Sequence, residues 1–168
     1  MPPSAITASA HPASPASALR YPPGYPPRGG RERFFIGVRW LGPDLSFFAR
    51  LAARQKARDA DMLELWGGGA RQKAARTIGA IFMHRLHWPG PYFLPDDAVE
   101  VIGGGPRFTS LGNEGELERT IHDIHASFGI TMPSRFWQDA GAFTLGELVD
   151  ALLAAGTAAA GGAAPAAD

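Results

Sequence analysis

Apolar residues recur at helical spacing through most of the middle of the chain. After Pro43, Asp44 is a candidate N-cap, and Leu45, Phe48, Leu51 and Ala52 fall on one face of the helix it would open. The pattern weakens through the charged stretch Arg54–Asp61, returns at Met62, Leu65 and Trp66, and stops at Gly67–Gly69. A second helix is predicted from Ala70 to His87, with Ala74, Ile78, Ile81, Phe82 and Leu86 as its buried stripe and Pro89 beyond its end. The run from Trp88 to Pro95 alternates aromatics and prolines, which predicts a stiff connection. Its Trp88, Tyr92 and Phe93, together with Phe136 and Trp137, form a set suited to clamping a long loop onto a bundle or to lining a small apolar pocket. Asp96 to Ile102 predicts a short helical turn ahead of Gly103–Gly105.

The strongest helix signals come later. Asn113 and Glu116 have capping-box spacing, and Leu117, Ile121, Ile124 and Phe128 then form a stripe that Gly129 ends. Pro133 to Trp137 suggests a short helix or turn. Thr144 and Glu147 form a second capping box, with Phe143 and Leu148 at the staple positions and Leu145, Leu148, Val149, Leu152 and Leu153 on the buried face. Only Phe34–Trp40 hints at a strand, so the pattern predicts an all-α fold.

Composition divides the chain into four stretches. Residues 1–33 are rich in Pro, Ser, Ala and Gly and are expected to be a disordered tail. Within them Tyr21 to Pro27 is a near-repeat favouring polyproline II, and its Pro22-Pro23-Gly24-Tyr25 has the form of a WW-domain ligand. Residues 34–69 are a basic helical extension, 70–155 the main helical domain, and 156–168 an Ala/Gly tail. The absence of cysteine excludes disulfides, thiol catalysis and Cys-ligated metal centres. No apolar run suits a membrane span or a secretory signal, which gives a soluble, cytoplasmic expectation. Net charge is zero, yet residues 1–90 carry 13 Lys and Arg against 5 acids, while residues 91–168 carry 3 Arg against 11 acids. The halves are thus able to attract each other, or each to face a partner of opposite sign.

The order of motifs from Ala74 to Ala155 resembles an acyl carrier protein. Ala74–Leu86 is similar to that family's first helix, and Phe93-Leu94-Pro95-Asp96-Asp97 to its long loop. Leu111-Gly112, then Leu117 to Ile130, resemble the second helix, Thr131-Met132-Pro133 its exit, and Phe143 to Val149 the start of the fourth. The resemblance implies a four-helix bundle, here with an extra N-terminal helix and disordered tails. It also implies a phosphopantetheine on an Asp-Ser-Leu serine, but this chain has Gly112-Asn113-Glu114-Gly115-Glu116-Leu117 at that place. The carboxylates repel a phosphodiester, so no cofactor is expected; Ser110 is the alternative attachment site. The resemblance leaves an acidic helix face, Glu114, Glu116, Glu118 and Asp123, as a surface for a protein partner with a basic patch.

The expected function is therefore non-enzymatic, by protein–protein contact. A functional carrier modified at Ser110 and an immunity-type binding protein are alternatives. A third is a metal-binding bundle built on His84 with His87 and His122 with His125, each pair spaced i, i+3. The basic row Arg50, Arg54 and Arg58 lies on one helix face. It suits covering the acidic face within the same chain, and carries only a weak nucleic-acid signature. The glycine triplets lack the strand and Lys-Ser/Thr ending of a phosphate-binding loop and are expected to be hinges.

Overall fold

The computed structural model describes residues 14–22, 45–107 and 114–161. Six α-helices and one 3-10 helix make up the regular structure among them: α1 Leu45–Lys56, the 3-10 helix Ala60–Trp66, α2 Gly69–Arg85, α3 Val99–Gly104, α4 Glu114–Phe128, α5 Ser134–Ala140 and α6 Leu145–Gly161. Helix α2 is the centre, packed against α4, α6 and the 3-10 helix. Its Ala74, Ile78 and Phe82 are buried with Leu145, Leu148, Val149 and Leu152 of α6 and Ile124 of α4 in one core. The all-α expectation is met. Asp44, Asn113 and the strand-like Phe34–Trp40 lie outside the described residues.

Local signals explain most helix ends. The backbone N–H of Thr144 donates to Glu147 Oε2 at 2.7 Å while the Glu147 N–H donates to Thr144 Oγ1 at 3.3 Å, the reciprocal pair that opens α6. Helix α4 stops at Gly129, and the Ile130 N–H returns to the His125 carbonyl at 3.2 Å. Gly67, Gly68 and Gly69 all have positive φ, at 74°, 79° and 59°, which turns the chain sharply between the 3-10 helix and α2.

Three differences from the expected pattern have physical causes. Leu63 and Trp66 are buried while Leu65 is exposed, because a 3-10 helix repeats every three residues and aligns positions 63 and 66. Leu117 is 41% exposed, and the buried face of α4 passes instead through Thr120 and Ile124. Residues 156–161, expected in the tail, continue α6 without a break, as their alanines favour.

The 88–98 connection is stiff because polar side chains hold its backbone. Gln55 Nε2 donates to the carbonyls of Gly90 and Tyr92 at 2.7 and 3.0 Å, and Trp66 Nε1 to that of Phe93 at 2.9 Å. The Phe93 ring meets Phe82 and Trp88 edge to face, with centroids 5.6 and 5.7 Å away. The connection then joins the start of α6 through Leu145 N–H to Asp97 O and Gly146 N–H to Pro95 O, both 2.8 Å.

The largest departure is at the N-terminal tail. Residues 14–22, expected to be disordered, are laid against α1 and the 94–98 turn, with Leu19 completely buried. Ser14 starts a tight turn with Pro15 second, closed by Ser17 N–H to Ser14 O at 2.8 Å. The segment is fixed by a buried ion pair. Arg58 Nη1 and Nη2 donate to Asp97 Oδ2 and Oδ1 at 2.6 and 2.9 Å, and both side chains are fully buried. Arg58 also donates to the carbonyls of Pro15 and Ser17, and Arg54 to that of Ala18. The Leu19 N–H donates to Asp97 Oδ1 at 2.7 Å and the Leu94 N–H to Oδ2 at 2.8 Å, so the carboxylate has four donors. The low hydrophobicity of residues 1–33 concealed this docking, because one leucine with main-chain hydrogen bonds suffices to order nine residues.

Two substitutions test these constraints. A Cβ on Gly79 would lie 1.9 Å from the Pro91 carbonyl oxygen, where α2 and the connection touch. Gly79→Ala is expected to destabilise by about 1–3 kcal/mol by chemical denaturation, despite alanine's better helix propensity. Asp97→Asn leaves a buried guanidinium without its counter-charge, and a loss of about 3–5 kcal/mol is expected. A denaturation midpoint unchanged in either variant would contradict the packing described.

Candidate functional site

Of the four acids expected on one face of α4, three have described side chains. Glu118 is exposed, but Glu116 is paired with Arg119 one turn on. Asp123 accepts from Arg85 Nε of α2 at 2.6 Å. That hydrogen bond holds the Asp123 carboxyl below its ordinary range; partial desolvation opposes the effect, while His122 and His84 add to it. The Glu114 side chain and Ser110 lie outside the described residues.

The basic row Arg50, Arg54 and Arg58 does not run along one helix, because α1 ends at Lys56 and Arg58 follows it. Arg58 is buried on Asp97, and Arg54 reaches the Ala18 carbonyl, so these two side chains hold residues 14–22. Among the described residues, Arg85 of α2 pairs with Asp123 of the acidic helix. Attraction between the two halves of the chain is nonetheless real: Arg58–Asp97, Arg71–Asp150 and Arg85–Asp123 each join the basic half to the acidic one.

The histidines do not form one site. Helix α2 ends at Arg85, and His87 follows with a φ of 59°, so His84 and His87 do not share a helix face. His125 Nε2 accepts from the Met132 N–H at 3.1 Å and from Trp137 Nε1 at 3.2 Å, which occupies the nitrogen facing α5. Among the described residues no group of three or more His, Cys, Asp or Glu converges on a metal position. A shallow cavity of about 530 Å³ runs past His122 and His125 between the end of α4 and α6.

A second cavity is different in kind. It is a partly open space of about 320 Å³ at the bundle, walled by Phe82 of α2 and Leu86 just after it, Val99, Glu100, Gly103 and Gly104 of α3, Leu117, Thr120, Ile121 and Ile124 of α4, and Trp137, Ala140, Gly141 and Leu148 beyond. Glu100 is the one ionisable side chain in that wall, and the Thr120 hydroxyl is already spent on the Glu116 carbonyl at 2.7 Å. Gly103, whose missing Cβ faces Leu117, and Ala140 are the small residues that leave this space, whereas a Cβ on Gly104 would meet the Tyr21 hydroxyl. Trp137 is the member of the expected aromatic set that reaches the cavity. Trp88 and Phe93 are buried under the connection, and Phe136 packs on Phe143. The helical stripes had marked Phe82, Leu86, Leu117, Ile121, Ile124 and Leu148 as buried, but no sequence signal showed that they leave a space between them, since the small residues opposite, on short helices, give no periodic pattern. Arg58, Asp97 and Leu19 were hidden likewise, with Leu19 and Tyr21 at i, i+2 the one available hint of an extended, one-sided segment.

The chemistry for a phosphopantetheine does not fit the start of α4. Its first turn, Glu114 to Leu117, offers carboxylates and no hydroxyl, and the negative charge opposes a phosphodiester. Comparison with family models, with curated proteins and with solved structures found no match. Among the described residues no helix is long and apolar enough to cross a membrane.

The Asp123 pairing has a pH signature. Its folded carboxyl is held below the ordinary value, so the Arg85 contact contributes fully above the unfolded carboxyl's range and is lost as pH falls through the depressed folded value. Denaturation midpoints followed from neutral into acid should therefore fall less steeply for Asp123→Asn than for the native chain. Identical slopes would show that the contact adds nothing.

Proposed function

We propose that this chain is a non-enzymatic, carrier-like helical domain that shelters a small apolar group inside its bundle and works through contact with a protein partner. The observation that carries the proposal is the apolar cavity between α2, α3, α4 and α5. At about 320 Å³ it lies at the small end of ligand pockets, which span roughly 300–1,000 Å³, and so suits a short alkyl chain or one aromatic group. Its wall presents a single carboxylate and no paired acid and base, which favours holding a ligand over transforming it. The order of helices along 74–155 supports the likeness to acyl carriers, whose surface for partners is the acidic helix. Among the described acids of α4, Glu118 is exposed and suits that role. Non-covalent holding agrees with the unfavourable charge at the start of α4.

Titration with decanoic acid, followed by the fluorescence of Trp137 in the cavity wall, tests this. Saturable binding is expected, weakened at least ~10-fold by Ala140→Leu, which fills the space. Absence of saturation, or binding indifferent to Ala140→Leu, would remove the cavity as the site. Intact mass after co-expression with a phosphopantetheinyl transferase should remain that of the unmodified chain; a gain of one phosphopantetheine would favour a covalent carrier instead.

A further inference from the structure

The contacts of residues 14–22 have the form of a bound peptide. Four main-chain carbonyls and one main-chain N–H are engaged: those of Pro15, Ser17 and Ala18 by arginines, that of Leu19 by the Ala98 N–H at 3.0 Å, and the Leu19 N–H by Asp97. One side chain, Leu19, enters the core as an anchor. The Tyr21 ring rests against Phe47 of α1, with centroids 6.2 Å apart. Main-chain hydrogen bonds for affinity and a pocket for one anchor are how grooves recognise peptides, here a tight turn followed by Ala18 to Pro22.

The polar wall of the groove comes from segments other than the one that fills it. Arg58 and Asp97 hold each other by two hydrogen bonds, and Asp97 is further fixed by the Leu94 N–H. The segment has no covalent fastening at the groove, since the chain contains no cysteine. It is joined to α1 through the 22 residues between Pro22 and Leu45, and a tether of that length gives an effective concentration on the order of millimolar. Any second copy of the chain carries the sequence that fits.

We propose that the groove between α1 and the 94–98 turn is a peptide-docking site, filled in this chain by residues 14–22 and open to the same nine residues of a second copy. Two copies that exchange these arms make every contact of the monomer and form an arm-exchanged dimer as concentration approaches the effective value. This holds whether or not the bundle cavity takes a ligand.

The full-length chain tests the proposal in two ways. Leu19→Asp puts a charge at the anchor and vacates the groove, so a fluorescently labelled peptide of residues 14–22 should bind this variant at least ~10-fold more tightly than the native chain, whose own segment competes. The same peptide carrying Leu19→Asp should not bind. A variant that keeps its helical circular dichroism and cooperative melting yet ignores the peptide, or binds both peptides alike, overturns the proposal. Should that variant not fold, sedimentation of the native chain decides: a dimer fraction that rises towards millimolar concentration and is suppressed by excess unlabelled peptide is expected. A chain monomeric throughout, or dimers indifferent to the peptide, would overturn it.

Discussion

The Arg58–Asp97 ion pair is the contact through which three distant parts of the chain are held in one arrangement. Arg58 follows α1, Asp97 ends the long connection, and the main chain of residues 14–22 closes over both. Burying two charges carries a large desolvation cost, so such a pair persists only where nearly every donor and acceptor is matched. Here the carboxylate has four donors and the guanidinium reaches two further carbonyls. The pair therefore acts less as a source of net stability than as a specification. A different position for the 94–98 turn would strand one of the charges. That turn in turn sets the start of α6 through Asp97 and Pro95, and hence the leucines that α6 presents to α2.

The helices were legible in the sequence because each has a local cause. Thr144 with Glu147 and the Gly129 stop act within a few residues, and the stripes of α2 and α6 come from their own spacing. What was not legible depends on residues far apart in sequence. Arg58 sat within a run of charges that periodicity assigns to solvent, and its burial is decided by Asp97, 39 positions away. Leu19 stood alone in a proline-rich stretch where no apolar pattern is possible. The 3-10 helix moved the buried set to Leu63 and Trp66, since three residues per turn instead of 3.6 changes which side chains align.

The candidate site follows the same division. Acidic residues on α4 are visible in any reading of the sequence, but whether they face a partner depends on neighbours that the sequence does not reveal. Among the described residues Asp123 is claimed by Arg85 and Glu116 by Arg119, while Glu118 is exposed. The stripes marked the apolar wall of the cavity but not the space itself, because that is made by what is missing: a short α3 ending in glycines and a small residue, Ala140, facing the long helices. Space of this kind arises from relations among elements, and a single sequence records elements better than relations.

Recognition of residues 15–18 by their carbonyls alone has an evolutionary consequence. Every amino acid carries the same carbonyl, so point changes at Ala16, Ser17 or Ala18 leave those hydrogen bonds available, whereas Leu19 fills a fixed volume in the core. Neutral drift is thus permitted at Ala16, Ser17 and Ala18 and restrained at Leu19 and Tyr21, whose side chains pack on the core and on Phe47. Descendants of this chain would preserve the arm's path while keeping little of its sequence beyond those apolar positions.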